Sequence, residues 1–285
     1  MKTIFLDIDG TLIADKGIIP QSAIDSIRQA RSNGHQVVLC TGRAMSEVHP
    51  EILDIGFDGI VACGGNFVST FDTVLYQRYL TREELMEIYD FLDSNRIDFF
   101  AESNQGLFPS KHCVAHLKQI MHRTRNDPST QAISVFLERF IHVLKKDAPM
   151  MREDISKITF LESDVEFRYL QSRFADRYEL FEQVVEFFGR NSGEISILGT
   201  DKTVGMELIL KHWNVSKENT VAIGDGNNDL KMLGYAQIGV AMGNATERLK
   251  AIADLITTDV AEDGIKNAFL TLGLIEDETS FVSPL

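Results

Sequence analysis

The chain has 285 residues, 44% hydrophobic and 25% charged, with 28 basic against 42 acidic side chains and a formal charge of −14. This is ordinary globular composition at a length that favours two domains over one. The acidic balance argues against a nucleic-acid backbone or an anionic membrane as partner, and no run approaches the ~18 uninterrupted apolar residues of a membrane span.

The first elements alternate strand and helix. "TIFLD" is a short apolar strand that ends in acid, and Asp7 and Asp9 stand where a secretory signal would carry its apolar run. "SAIDSIRQARSNG" carries Ile24, Ile27 and Ala30 at helical spacing and stops at Gly34. "HQVVLCTG" and "GIVACGG" are two further apolar runs closed by glycine turns. Such two-sided runs between helices predict parallel strands covered on both faces. The middle of the chain changes character. "TREELMEIYDFLDSN" and "DVEFRYLQSRFADR" read as helices, "IDFFAESNQGLFPS" as strand–turn–strand, "SKITFLES" as a strand and "YELFEQVVEFF" as a strand region. That pattern predicts an α+β insert over residues 81–189. The alternation then resumes: helix "TVGMELILKHW", strand "NTVAIGDG", helix "DLKMLGYA", strand "QIGVAM", helix "TERLKAIA", strand "DLITT" and helix "AEDGIKNAFLTLG". Residues 1–80 and 190–285 are therefore expected to share one α/β core built on a parallel sheet. The tail "DETSFVSPL" is expected to be loosely attached.

Four polar clusters fall at the C-terminal ends of the predicted parallel strands, where open α/β sheets bind ligands. They are Asp7 with Asp9, Thr41-Gly42-Arg43, Lys202, and "GDGNND" over 224–229. A strand's period of two puts Asp7 and Asp9 on one side if extension persists. Asp225 adds a third carboxylate. Hard oxygens in that number suit Mg²⁺. The cation would relieve their repulsion and give an acidic chain the positive charge it needs to hold a phosphate. Lys202 adds a second positive charge, Thr41 a hydroxyl, and the backbone around Gly10 and Gly42 N–H groups for phosphate oxygens.

"DIDGT", "TGR", Lys202 and "GDGNND" together resemble the four motifs of haloacid-dehalogenase-superfamily phosphatases. The insert resembles a type IIB cap of the Cof type. The stretch "AIGDGNNDLKMLGYAQIGVAMGNA" is similar to that group nearly throughout. The resemblance implies a Rossmann-like core with an inserted α+β cap that governs substrate specificity. It implies a Mg²⁺-dependent phosphatase acting on small organic phosphate monoesters, a sugar phosphate or a phosphorylated cofactor, through an aspartyl-phosphate. Asp7 would be the nucleophile and Asp9 the acid and base. Asp7, the Asp9 carbonyl and Asp225 would hold the metal. Thr41, Gly42, Lys202 and Asn228 would hold the phosphoryl group, with Asp229 and Arg43 in support. Two departures stand out: Thr203 follows the lysine where the family often has Gly, and Cys63-Gly64-Gly65 replaces the usual Asn-Gly-Ala after the third strand.

Two rival readings share these residues. A phosphomutase or phosphotransferase would use the same Asp pair, and a non-catalytic phospho-ligand-binding protein would keep the cradle without the chemistry. Dehalogenation is disfavoured because the resembling dehalogenases lack the second Asp. The pair His112 and His116 shows no third ligand at a recognisable spacing and reads as part of a surface or cap-packing helix. Cys40, Cys63 and Cys113 match no disulfide or zinc pattern, which suits a reducing cytoplasm.

Overall fold

The computed structural model describes residues 1–14, 17–125, 130–182 and 185–276, so the tail 277–285 lies outside the described residues. Contacts divide the chain into two compact units. The first comprises Met1–Arg43, Val48–Gln77 and the chain from Thr200; the second comprises Ala44–Glu47 and Arg78–Gly199.

Among the described residues, the first unit holds eight strands. These are β1 (Thr3–Leu6), β2 (Gln36–Cys40), β3 (Gly59–Ala62), β4 (Phe67–Thr70), β5 (Val74–Gln77), β11 (Thr220–Gly224), β12 (Ile238–Ala241) and β13 (Leu255–Ile256). Their order is β13-β12-β11-β1-β2-β3-β4-β5. From β13 to β3 all pairings are parallel, while β3–β4 and β4–β5 are antiparallel. Around the sheet run α1 (Gln21–Ser32), α2 (Pro50–Leu53), α7 (Lys202–Trp213), α8 (Leu230–Tyr235), α9 (Glu247–Lys250) and α10 (Gly264–Thr271). Every residue of β1 is buried, as a central strand covered on both faces requires. The buried stripe of α1, Ala23, Ser26, Ile27 and Ala30, recurs at three- and four-residue steps, and the helix packs on β2 and α10. This is the expected Rossmann-like α/β core, extended by a hairpin that the sequence reading did not contain.

The second unit is α+β, as expected of the insert. Its strands are β6 (Phe99–Ser103), β7 (Gly106–Pro109), β8 (Ile155–Phe160), β9 (Tyr178–Glu182) and β10 (Gly193–Ile197), in the order β7-β6-β8-β10-β9 and antiparallel throughout. Alternate residues point to opposite faces. One face, with Phe99, Ala101, Ile158 and Phe160, packs on α3 (Arg82–Ser94) and α6 (Phe167–Phe174) through Leu85, Ile88, Leu92, Leu170 and Phe174. The other carries Phe100 into a cluster with Leu117, Ile120, Leu137 and Ile141 of α4 (Cys113–Arg125) and α5 (Gln131–Val143). Thr81 caps α3 in a reciprocal capping box with Glu84. Strand β10 lies in the stretch read as core, yet both its partners, β8 and β9, belong to this second sheet. Lys202 therefore follows an antiparallel strand rather than the parallel strand expected. Among the described residues, no helix is long and apolar enough to cross a membrane.

Candidate active site

Asp7 and Asp225 become neighbours through strand register. Leu6 pairs with Ile223 in the parallel ladder, and the Asp7 N–H carries it one step further, donating to the Ile223 carbonyl at 3.0 Å. Asp7 thus leaves β1 beside the end of β11, where Asp225 follows Gly224. The third acid, Asp229, is fully buried and braces the same loop: its Oδ2 accepts the N–H groups of Asp225 and Gly226, each at 3.0 Å. Lys202, the first residue of α7, donates from Nζ to Asp7 Oδ1 at 2.5 Å and to Asp229 Oδ1 at 2.6 Å.

Asp9 behaves differently. Extension does not persist past Leu6, and the chain turns through Gly10 at φ +76°. Asp7 is 4% exposed, whereas the Asp9 side chain is 62% exposed. The Asp9 carboxylate does not share a side with Asp7; it meets Arg43 in a two-pronged ion pair, Nε to Oδ2 at 2.8 Å and a terminal nitrogen to Oδ1 at 2.5 Å. Thr41 follows β2, is buried, and accepts the Arg43 N–H on Oγ1 at 3.1 Å. Gly42 lies between them, half-buried. Asn228 is exposed on the turn before Asp229, with its amide oxygen over Gly226.

Charge in this cluster is costly to keep. Burial drives the Asp7 carboxyl well above the usual range, against the pull of Lys202. Burial, joined by the negative charge of Asp229, pushes Asp225 up to about 7. Burial also opposes the charge on Lys202, but Asp229 and Asp7 more than offset it and hold its pKa high. Cys40 is likewise raised by burial and stays a thiol. With all three acids ionised, one ammonium among them would leave a net negative site. Asp7, Asp225 and Asp229 each offer an oxygen, all within 4.8 Å of one another. An all-oxygen donor set with a charge deficit fits a hard divalent cation. The Asp9 carboxylate is not in this set, and Asp229, expected only as support, is.

Two further residues belong to the site. Thr11 Oγ1 donates to Asp225 Oδ1 at 3.2 Å, and Asn244 Nδ2 donates to the Gly10 carbonyl at 2.8 Å. Both fall inside stretches that the motifs already cover, "FLDIDGT" and "AMGNA", where their hydrogen-bonding side chains were the available signal.

The sequence profile of the haloacid dehalogenase-like hydrolases matches residues 4–269. The chain belongs to this family. The haloacid dehalogenase-like chain is 28% identical over 278 residues to YkrA of Bacillus subtilis (strain 168), which is named provisionally as a phosphatase; the match covers 96% of this chain and 99% of YkrA. It is 25% identical to the pyridoxal phosphate phosphatase YbhA of Escherichia coli (strain K12), covering 93% and 96% of the two chains. The structure of the HAD subclass IIB sugar phosphatase BT4131 aligns with a TM-score of 0.76 at 25% identity, over 96% of this chain and all of that one. The haloacid dehalogenase-like enzyme is a phosphoric monoester hydrolase.

Proposed function

We propose that the enzyme hydrolyses small organic phosphate monoesters with Mg²⁺ and through an aspartyl-phosphate on Asp7. A sugar phosphate is the first substrate class and a phosphorylated cofactor the second; the names of BT4131 and YbhA support both. The observation that carries the reading is the buried Asp7 carboxylate, held by Lys202 at 2.5 Å in one cluster with Asp225 and Asp229. Lys202 fixes one Asp7 oxygen and leaves the other to attack phosphorus. As that O–P bond forms, the bond to the leaving oxygen breaks, and Asp9 supplies the proton. Asp9 then takes a proton from water, whose oxygen attacks phosphorus, releases phosphate and restores the Asp7 carboxylate. Lys202, Thr41, Gly42 and Asn228 hold the phosphoryl oxygens. Asp7, Asp225 and the Asp9 carbonyl, with Asp229 beside them, would hold Mg²⁺, which supplies charge neutralisation between carboxylate and phosphate. The inserted α+β unit is the proposed specificity domain. Three buried cysteines fit a reducing cytoplasm.

The test is phosphate release from an aryl phosphate with and without EDTA, followed by trapping and mass mapping of the phosphoryl group. Label on Asp7 and loss of turnover on chelation are expected. A phosphoryl group on Ser, His or Cys, or full activity without metal, would overturn the reading.

A further inference from the structure

We propose that Asp201 is a positioning residue that sets Lys202 for the phosphoryl group; this rests on the phosphatase reading above. Asp201 is the N-cap of α7, in extended conformation, and its Oδ1 accepts both the N–H of Thr203, at 2.9 Å, and the Thr203 hydroxyl. The helix therefore starts at one residue and no other, and that residue is Lys202. Thr203, a departure from the family's usual glycine, is what supplies the second of these bonds.

Asp201 Oδ2 turns the other way and accepts Lys231 Nζ at 3.0 Å. Lys231 stands two residues beyond Asp229, the buried partner of Lys202. Two ion pairs of opposite polarity thus join the same two segments: Lys202 to Asp229 inside, Asp201 to Lys231 outside. Slippage between the segments would set Asp201 against Asp229 and Lys202 against Lys231, like charge on like. The exchanged order of charges specifies the register, much as paired charges do between helices. A third restraint comes from Gly65, at φ +107°, where a Cβ would lie 2.2 Å from the Asp201 carbonyl oxygen. The turn after β3 therefore rests directly on the backbone of Asp201.

The outer pair is exposed, 31% and 64% by side chain, so its direct share of stability is small. Its effect is geometric. A lysine reaches its partners through four rotatable carbons, and its placement depends on where its Cα is fixed. Misplacement of a reacting group by about 1 Å can cost on the order of a hundredfold in rate.

The experiment compares Asp201→Ala, Asp201→Asn and Lys231→Met with the wild type. Three quantities are read: kcat and KM on an aryl phosphate, the dissociation constant for inorganic phosphate by calorimetry, and the melting temperature. Asp201→Ala should weaken phosphate binding and lower kcat/KM about tenfold or more, with a melting loss of only a few degrees. Asp201→Asn keeps the cap and loses the ion pair; it should recover part of both, and Lys231→Met, which loses the same pair with the cap intact, should show the same remaining loss. Wild-type phosphate affinity and kcat/KM in folded Asp201→Ala would overturn the proposal. So would a loss that Asp201→Asn does not relieve. If the wild type releases no phosphate at all, the phosphatase reading fails, while the phosphate dissociation constants still decide the role of Asp201.

Discussion

Arg43 holds both carboxylate oxygens of Asp9, at 2.8 and 2.5 Å, and so keeps that acid outside the buried cluster that Asp7 joins. If Asp9 protonates the leaving oxygen, its loss should matter most where the leaving group is a poor one. Asp9→Asn is expected to slow phosphorylation of Asp7 by alkyl phosphates by roughly 10²–10⁴ and by a nitrophenyl phosphate far less, while loss of the base slows turnover of both. Arg43→Ala should show the same ordering at smaller size, because it disturbs the orientation of Asp9 rather than removing it. Single-turnover rate constants for the phosphorylation step across a leaving-group series check this. Equal losses on good and poor leaving groups would argue against the assignment.

Gly10 admits no side chain. At φ +76° a Cβ would lie 2.2 Å from Asp225 Oδ2. Gly10→Ala must therefore move a carboxylate of the proposed metal set and also accept about 1–2 kcal/mol of left-handed strain. The expected result is a lower melting temperature and loss of the stabilisation that millimolar Mg²⁺ is expected to give the wild type. Calorimetric melts with and without Mg²⁺ measure both. An unchanged Mg²⁺-dependent shift would remove the metal from this loop.

Ca²⁺ should bind and inhibit. Mg²⁺ requires octahedral coordination at ~2.0–2.1 Å, which in the proposed site would leave one Asp7 oxygen free, whereas Ca²⁺ accepts six to eight oxygens at ~2.3–2.6 Å and could engage both. The attacking lone pair would then be occupied. Phosphate release titrated with Ca²⁺ at fixed Mg²⁺ reads the effect, and full activity with Ca²⁺ alone would sink the shared-carboxylate mechanism.

His116 ties α4 to the second sheet. Its Nδ1 lies 3.0 Å from Asp98 Oδ2 and its Nε2 3.3 Å from Glu162 Oε1, and Glu162 also accepts Arg123 at 2.8 Å. The hydrogen bond to Asp98, aided by Glu162 and against burial, raises the imidazole pKa. A folded value above the unfolded ~6.5 means the clamp contributes fully below that pH. The contribution is lost as pH rises through the folded value. Its size is on the order of 1 kcal/mol after solvent screening. The melting difference between wild type and His116→Gln should therefore shrink from pH 6 to pH 9. A constant difference would deny the titration.

Lys157 sits buried between Glu102, at 3.1 Å, and Glu194, at 2.9 Å, on adjacent strands. Burial pushes Glu102 up to about 7 even with this neighbour. Lys157→Met would strand the buried Glu102 and the largely buried Glu194 and is expected to destabilise the fold by about 3–5 kcal/mol. Adding Glu102→Gln and Glu194→Gln should recover much of that. Denaturant unfolding of the single and triple variants checks the pair of expectations.

The core was legible where a short stretch carries its own instruction. "TIFL" and "TVAIG" are apolar on both faces and could only be central strands, and the site residues sit at their ends. What was not legible depends on distant partners. The β4–β5 hairpin turns through Phe71-Asp72-Thr73, with neither Gly nor Pro to mark it, and no residue of β5 is fully buried. Nothing within "GEISI" says whether it pairs with β1 or with β8, because pairing is decided by surface the strand does not contain. Strand period puts Asp9 on the side of Asp7 only if extension persists; β1 ends at Leu6, Gly10 takes a positive φ, and the Asp9 carboxylate meets an arginine 34 residues away. Asp229 looked like a helper from sequence. Only the loop that folds its carboxylate back on Asp225 brings it into the acidic cluster.

Strand β1 pairs with β2, close by in sequence, and with β11, where Thr3 meets Thr220. The second pairing encloses residues 3–220, so the core has a high contact order, and its closure would ordinarily be slow and entropically expensive. The insertion changes that sum. Its two ends lie within hydrogen-bond reach, Arg78 Nη1 donating to the Leu198 carbonyl at 3.3 Å. Once its own sheet forms, a loop of more than a hundred residues acts in the core as a tight turn. The second unit thereby serves as an internal splice, and destabilising it should slow assembly of a sheet to which it contributes no strand.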